Sequence, residues 1–310
     1  MNGTNDVAGL FQRQLHDWKL AADNYAALNS VKIKEYEVGE AHIKLQFNPA
    51  RIISSAAKVD AKSIKARRCF LCGENRPAEQ DGLQWGGEYM ILINPYPIFP
   101  RHLTIPNLNH VPQQISGRMP DMMRLAAYLD DFIVFYNGPR CGASAPDHFH
   151  FQAGNKGFMT FDSDLERHGK KQLVKKSAGA EMYLVEGLAR RAFVIYASSV
   201  EAGDSMFECL YKALPVNDGD VEPMLNILCW YTGGEWRIAV FPRVKHRPDC
   251  YFAEGEANIL ITPASVDMGG VFIAPLEKDF EKVTSADIKG ILDEVCISEE
   301  AARHIVDNLK

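Results

Sequence analysis

Residues Gly142 to Gln152 read Gly-Ala-Ser-Ala-Pro-Asp-His-Phe-His-Phe-Gln, and the last five alternate imidazole, ring, imidazole, ring, amide. A period of two marks a strand, because successive side chains leave an extended backbone on opposite faces. His148, His150 and Gln152 are therefore predicted to share one face, while Phe149 and Phe151 point into a core. On a helix the three polar groups would be rotated by roughly 200° per two residues and would not converge. The run selects a sheet protein with an imidazole-rich patch on one strand. A surface strand that merely carries histidines has the same pattern, so the rest of the chain has to discriminate.

The chain has 310 residues, 46% of them hydrophobic, enough for one large domain or two intimate halves. A net charge of −6 and a pI near 5.9 exclude a global field that would draw in nucleic acid. A small phosphorylated ligand held by a local basic cluster fits better. No stretch approaches the ~18 apolar residues of a membrane span, and Met1 to Leu20 lacks a signal-peptide pattern, so a cytoplasmic protein with no membrane partner is expected. Seven cysteines, an odd number, do not read as a disulfide framework in a chain of this length.

Apolar periodicity predicts a lead-in helix over residues 5–30, a strand over 36–47, a basic loop over 51–68, strands over 89–94 and 102–106, and a long helix over 120–135. A polar, basic run at 170–176 reads as a boundary. Beyond it come a strand (192–198), a helix (200–214), a hairpin around Gly233-Gly234, a strand (270–274) and a final helix (298–308). Each half sets an apolar strand before Phe-Pro-Arg, at Phe99 to Arg101 and at Phe241 to Arg243. The expected fold is α+β, two halves over residues 1–170 and 171–310 with mainly antiparallel sheet flanked by helices. No Gly-rich loop leads a strand into a helix, as a parallel doubly wound fold would need.

Cys69-x-x-Cys72 can grip one soft metal from a tight turn, and His110 and His148 are candidates to complete a Cys₂His₂ set. A thiol pair without metal is the alternative, although a redox pair predicts a βαβ context that is missing. Arg51, Lys58, Arg67 and Arg68 precede the cysteines, and Arg243, Lys245, His246 and Arg247 follow a predicted strand. Guanidinium forks match phosphate oxygens in pairs, so both clusters are either phosphate sites or solvated surface. Ser144 lacks the Gly-x-Ser-x-Gly setting of a serine nucleophile.

With these residues the chain resembles the histidine triad superfamily, specifically its transferase branch of galactose-1-phosphate uridylyltransferase, diadenosine tetraphosphate phosphorylase and the GDP-hexose phosphorylases. Cys69-Phe-Leu-Cys-Gly-Glu-Asn75 is similar to the uridylyltransferase metal motif, and Asn94 to Pro106 with His110 to the superfamily's strand-turn-strand segment. Tyr136-Asn137, Gly142-Ala-Ser144 and His148-Phe-His150-Phe-Gln152 resemble the phosphorylase active site, and Met268 to Phe280 the C-terminal half of the GDP-hexose phosphorylases. The chain departs from the family pattern in holding one extra residue at Ala145-Pro146-Asp147 and in having Phe149 and Phe151 where uridylyltransferases have Pro and Gly.

The resemblance implies two halves of the superfamily fold and a nucleotidyltransferase or phosphorylase acting on a nucleoside diphosphate sugar, giving or using a sugar 1-phosphate. It implies His150 as nucleophile on the α-phosphorus, through a nucleotidyl-histidine intermediate, with Gln152 donating to the phosphoryl oxygens. Cys69, Cys72, His110 and His148 would hold a structural Zn²⁺. Asn94 would face the ribose, and Asn137, Gly142 and Ser144 would line the substrate. Arg51, Lys58, Arg243 and Lys245 would be the ligands of phosphate or sugar phosphate. The competing readings are a phosphorylase that splits a dinucleotide with phosphate, and a zinc-stapled nucleotide-binding module without turnover. A homodimer is among the assemblies open to such a chain, and neither base nor sugar is legible.

Overall fold

Gly39 interrupts the alternating stretch near the N-terminus and takes φ +63°, the left-handed conformation that a tight hairpin turn needs. The expected single strand is therefore a hairpin of β1 (Lys32–Val38) and β2 (Ala41–Phe47) in the computed structural model, which describes residues 3–52 and 61–309. The lead-in helix is likewise two helices, Thr4–Asp17 and Lys19–Ala27, because Trp18 leaves helical geometry (φ −116°, ψ 95°) and buries its indole.

β3 (Gly82–Trp85), β4 (Tyr89–Ile93), β5 (His102–Pro106), β6 (Phe132–Asn137) and β7 (His150–Asn155) come from the first half of the chain. β8 (Lys170–Ser177), β9 (Ala180–Glu186), β10 (Ala192–Ala197), β11 (Leu225–Thr232) and β12 (Glu235–Pro242) come from the second. Together they form one 10-stranded sheet in the order β3-β4-β5-β7-β6-β11-β12-β10-β9-β8. Counted inward from either edge, the two halves repeat one strand order, antiparallel throughout. Each inserts a helix after its third strand, Met119–Tyr128 in one and Val200–Ala213 in the other. The halves meet where β6 pairs with β11, Asn137 opposite Asn226. Gly233 and Gly234 take φ +60° and +85° in the β11–β12 turn, as that hairpin requires. β13 (Val271–Ala274) pairs in parallel with β2 to complete a separate 3-stranded sheet.

Three further expectations change. The helix over 120–135 ends at Tyr128, because Phe132-Ile-Val-Phe-Tyr is a continuous β-branched and aromatic run that suits a central strand buried on both sides. The basic, polar run at 170–176 forms the edge strand β8, whose lysines discourage further pairing. The two Phe-Pro-Arg segments are not equivalent, since the first precedes β5 and the second closes β12. The repeat lies in strand order, not in that motif. Finally, β7 begins at His150, and the amide of His148 closes a turn onto the carbonyl of Ala145 at 3.1 Å. His148 is thus off the strand and does not share a face with His150.

Apolar side chains cover both sheet faces. Phe149, Phe151 and Tyr136 pack with the helices Met119–Tyr128 and Val200–Ala213, while Phe135 faces β2, β13 and the segments near Val266 and Leu292. Full burial of Phe149 and Phe151 contributes about 2–3 kcal/mol each, which fixes the facing of β7 and sends His150 and Gln152 to the opposite side. No helix among the described residues is long and apolar enough to cross a membrane.

Candidate active site and metal cluster

The turn closed by the Cys72 amide on the Cys69 carbonyl brings both thiols to one side, and Asn75 Nδ2 donates to the same carbonyl at 3.0 Å. Cys69 Sγ lies 3.2 Å from His148 Nδ1, and Cys72 Sγ lies 3.2 Å from His110 Nδ1. The donor atoms of Cys69, Cys72, His110 and His148 all lie within 4.8 Å of one another, a group that could hold a metal ion. His148 Nε2–H donates to the Asn107 carbonyl at 2.8 Å, which leaves Nδ1 as the unprotonated nitrogen aimed at the thiols. Burial opposes ionisation of Cys69, yet its contact with His148 and hydrogen bonds from the Leu71 and Cys72 amides bring its pKa down to about 6. Burial and the neighbouring Cys69 push Cys72 up to about 11. Two thiols and two imidazoles are a tetrahedral set suited to a soft or borderline ion, so the residues fit a structural metal. Bound there, the ion would crosslink the 69–75 turn to the segments around His110 and His148.

His150 sits at the start of β7 with its ring in a cavity of about 650 Å³ that Asn94, Asn137, Gly142, Ser144 and Gln152 also line. Its Nδ1–H donates to the His148 carbonyl at 2.9 Å, so Nε2 keeps its lone pair for the cavity. Burial lowers its pKa to about 4, which holds the imidazole neutral near pH 7. Gln113 clamps the backbone around it: its Oε1 accepts from the His150 amide at 2.8 Å, and its Nε2 donates to the carbonyls of His150 (3.1 Å) and Asn137 (3.0 Å). Gln152 is oriented by His102. The Ile98 amide donates to His102 Nδ1 at 3.2 Å, so the proton is on Nε2 and is given to Gln152 Oε1 at 3.1 Å. The amide NH₂ of Gln152 is left as the donor toward the cavity. Burial, and then the charge of Arg51, push His102 down to about 3, so this arrangement persists across ordinary pH.

The far wall comes from the second half. Gly142 takes φ +96°, and a Cβ there would stand 2.5 Å from Ala264 Cβ, so only glycine allows the 142–144 loop to touch the 263–267 segment. Among the described residues, Arg51, Arg67 and Arg247 line the cavity against one carboxylate, Asp267, which burial raises to about 7 although the Ala264 amide donates to it. The site is therefore built for an anion, with an unprotonated imidazole and an oriented amide donor side by side.

Residues 10–155 match a family described as a domain of unknown function (DUF4922), and residues 165–309 match the GDPGP1-like, C-terminal domain. Among solved structures the chain is similar to yeast Ap4A phosphorylase Apa2, at TM-score 0.56 and 17% identity, over 90% of this chain and 94% of that one. The same protein in complex with Ap4A gives 0.57 and 18% over 90% and 96%, and in complex with AMP 0.57 and 18% over 91% and 96%. The chain therefore shares the fold of that phosphorylase. No curated protein matches it.

Set on that fold, the residues expected from sequence divide in three. Cys69, Cys72, His110 and His148 are brought together, and His150, Gln152, Asn94, Asn137, Gly142, Ser144 and Arg51 all line the cavity. Asn94 and Asn137 are already engaged: Asn94 Nδ2 donates to Thr104 Oγ1, and Asn137 Oδ1 accepts from Asn226 Nδ2 and the Ser265 amide. Arg243 and Lys245 do not line the cavity. Arg243 is buried, donating to Asn226 Oδ1 (2.6 Å) and to the carbonyls of Pro263, Lys245 and His246, so it holds the loops that form the far wall. Lys245 is taken up by Asp249 and Glu294. Lys58 lies outside the described residues. Their neighbours His246 and Arg247 line the cavity in their place, with Arg67, Thr262 and Asp267. His102 and Gln113 orient Gln152 and His150. His102 stands in a block visible in the sequence, whereas nothing marked Gln113.

Proposed function

We propose that this protein is a nucleotidyltransferase or phosphorylase that acts on a nucleoside diphosphate sugar through a covalent nucleotidyl-His150 intermediate. The observation that carries the reading is the lone pair of His150 Nε2 in an arginine-lined cavity, its tautomer set by the His148 carbonyl and the Gln152 amide beside it. In the first displacement Nε2 attacks the α-phosphorus, the N–P bond forms, and the bond to the bridging oxygen breaks to release the sugar 1-phosphate. In the second, an oxygen of phosphate or of another sugar 1-phosphate attacks the same phosphorus, and His150 leaves as the neutral imidazole. Gln152 and the amides near Gly142 and Ser144 donate to the oxygens that gain charge. Zinc in the four-residue cluster would hold the turn before β7 without touching the reacting atoms.

The resemblance of Met268 to Phe280 to GDP-hexose phosphorylases, with the GDPGP1-like match over residues 165–309, supports a nucleotide sugar as donor. In this reading residues 1–170 carry nucleophile and metal, and residues 171–310 complete the substrate site. The similarity to an Ap4A phosphorylase bound to Ap4A favours a second reading with a dinucleotide as donor. Intact-protein mass after exposure to nucleoside diphosphate sugars and dinucleoside polyphosphates tests both. The expected result is a gain of one nucleotidyl group, absent in His150→Ala and reversed by phosphate. Donor turnover with no adduct, or an adduct that survives His150→Ala, would overturn the covalent mechanism.

A further inference from the structure

Arg67 stands two residues before Cys69 and lines the cavity with His150. One arm of its guanidinium is fixed, with NH2 donating to Asp147 Oδ1 at 2.5 Å. Its plane is held from another side, the guanidinium carbon lying 5.2 Å from the centre of the Phe70 ring. The remaining terminal nitrogen, NH1, is buried and has no hydrogen-bond partner among the described residues. Asp147 precedes His148 in the chain, and its Oδ2 lies 3.7 Å from His110 Nε2, so the carboxylate that anchors Arg67 belongs to the rim of the Cys₂His₂ cluster. A guanidinium keeps its charge at any ordinary pH, and a buried N–H left without an acceptor is costly until a ligand oxygen supplies one.

We infer that Arg67 contacts a phosphate of the bound nucleotide, and that Asp147 at the edge of the metal cluster holds it in place to do so. The cluster that organises the turn before the nucleophile thereby also positions an anion-binding arm. Asp147 can satisfy only part of a five-donor fork, and the part left over is directed by the carboxylate and the ring, a geometry that suits a phosphoryl edge. The inference rests on the nucleotidyl-transfer reading of the same cavity.

Calorimetric binding of AMP and GMP against adenosine and guanosine, in the His150→Ala background where no transfer occurs, tests it. Arg67→Gln should weaken nucleotide binding roughly 10- to 100-fold and leave nucleoside binding within about twofold. Arg68→Gln, at the exposed neighbour, should change neither. Asp147→Asn should keep the metal-to-protein ratio of its parent and weaken nucleotide binding several-fold. The assignment of Arg67 falls if His150→Ala binds nucleotides no better than nucleosides, or if Arg67→Gln leaves the difference intact or weakens both ligands equally. Loss of metal from Asp147→Asn overturns the anchoring role. Absence of a mass adduct at His150 in the otherwise unaltered chain would sink the transfer reading while leaving this binding difference standing, so the two can fail separately.

Discussion

The two halves of the ten-stranded sheet share one strand order and one inserted helix, yet β8 to β12 contain no histidine, whereas the β5 and β7 segments hold His102, His148 and His150. Where β7 starts with an imidazole facing the cavity, β12 ends its run as Ile-Ala-Val-Phe, packed into the core. A repeated strand order thus carries an unrepeated set of imidazoles. The second half contributes shape: its β11 extends the sheet at the seam, and Arg243 ties the 243–246 and 263–265 segments into the wall opposite His150. Strand order depends on alternating apolar faces, which many sequences satisfy, whereas an active site needs particular donors at particular atoms.

The contrast is sharpest at His150. His150→Ala should reduce turnover by about 10³-fold or more with little loss of stability elsewhere, measured as single-turnover phosphorolysis beside thermal unfolding. Retained turnover would mean that the first half is not the chemical half. The metal cluster supplies the next largest effect. Chelation, or Cys72→Ser, should cost several kcal/mol and raise hydrogen exchange around residues 69–75 and β7 before β8 to β12. An equal rise in both halves would show that the cluster supports the whole sheet.

Gln113→Ala breaks three side-chain bonds around His150 and Asn137 and leaves buried partners unpaired, so about 3–5 kcal/mol of stability should go, with a larger fall in kcat than in substrate affinity. Chemical denaturation and kinetics report both. A cost near zero would remove the clamp. The seam between halves gives the smallest effect. Glu222, from the second half, accepts from Tyr136 OH at 2.6 Å and from the Ile115 amide at 2.9 Å, and burial raises its pKa to about 7. A carboxyl raised in the folded state binds its proton there more tightly than when unfolded. Its stabilising share is therefore complete below the unfolded value near 4.5 and is lost as pH rises through about 7. Stability should decline over that window by up to about 3 kcal/mol, and Glu222→Gln should flatten the profile. An unchanged slope in the variant would locate the titration elsewhere.

Much of this was readable from residues alone. The alternation of Phe149 and Phe151 with His150 and Gln152 and the Cys-x-x-Cys turn are local patterns, and local periodicity survives in any fold that buries apolar side chains. The helix written over 120–135 was misread because a fully buried central strand has no period of two to display. Arg243 was misread for a related reason: a basic cluster marks where cations are, not which of them is consumed by backbone carbonyls.

By itself the sequence determined the residue types at the reactive strand, the face on which Phe149 and Phe151 must be buried, and the pair of thiols offered to a metal. Tertiary structure alone decided that Gln113 and His102 set the orientation of His150 and Gln152, and that His246 and Arg247 rather than Lys245 complete the wall. Those outcomes depend on hydrogen bonds between segments far apart in the chain, such as Gln113 to His150 and Arg243 to Pro263. A buried polar group takes whichever partner the packed chain brings within reach, and that partner has no fixed spacing in sequence.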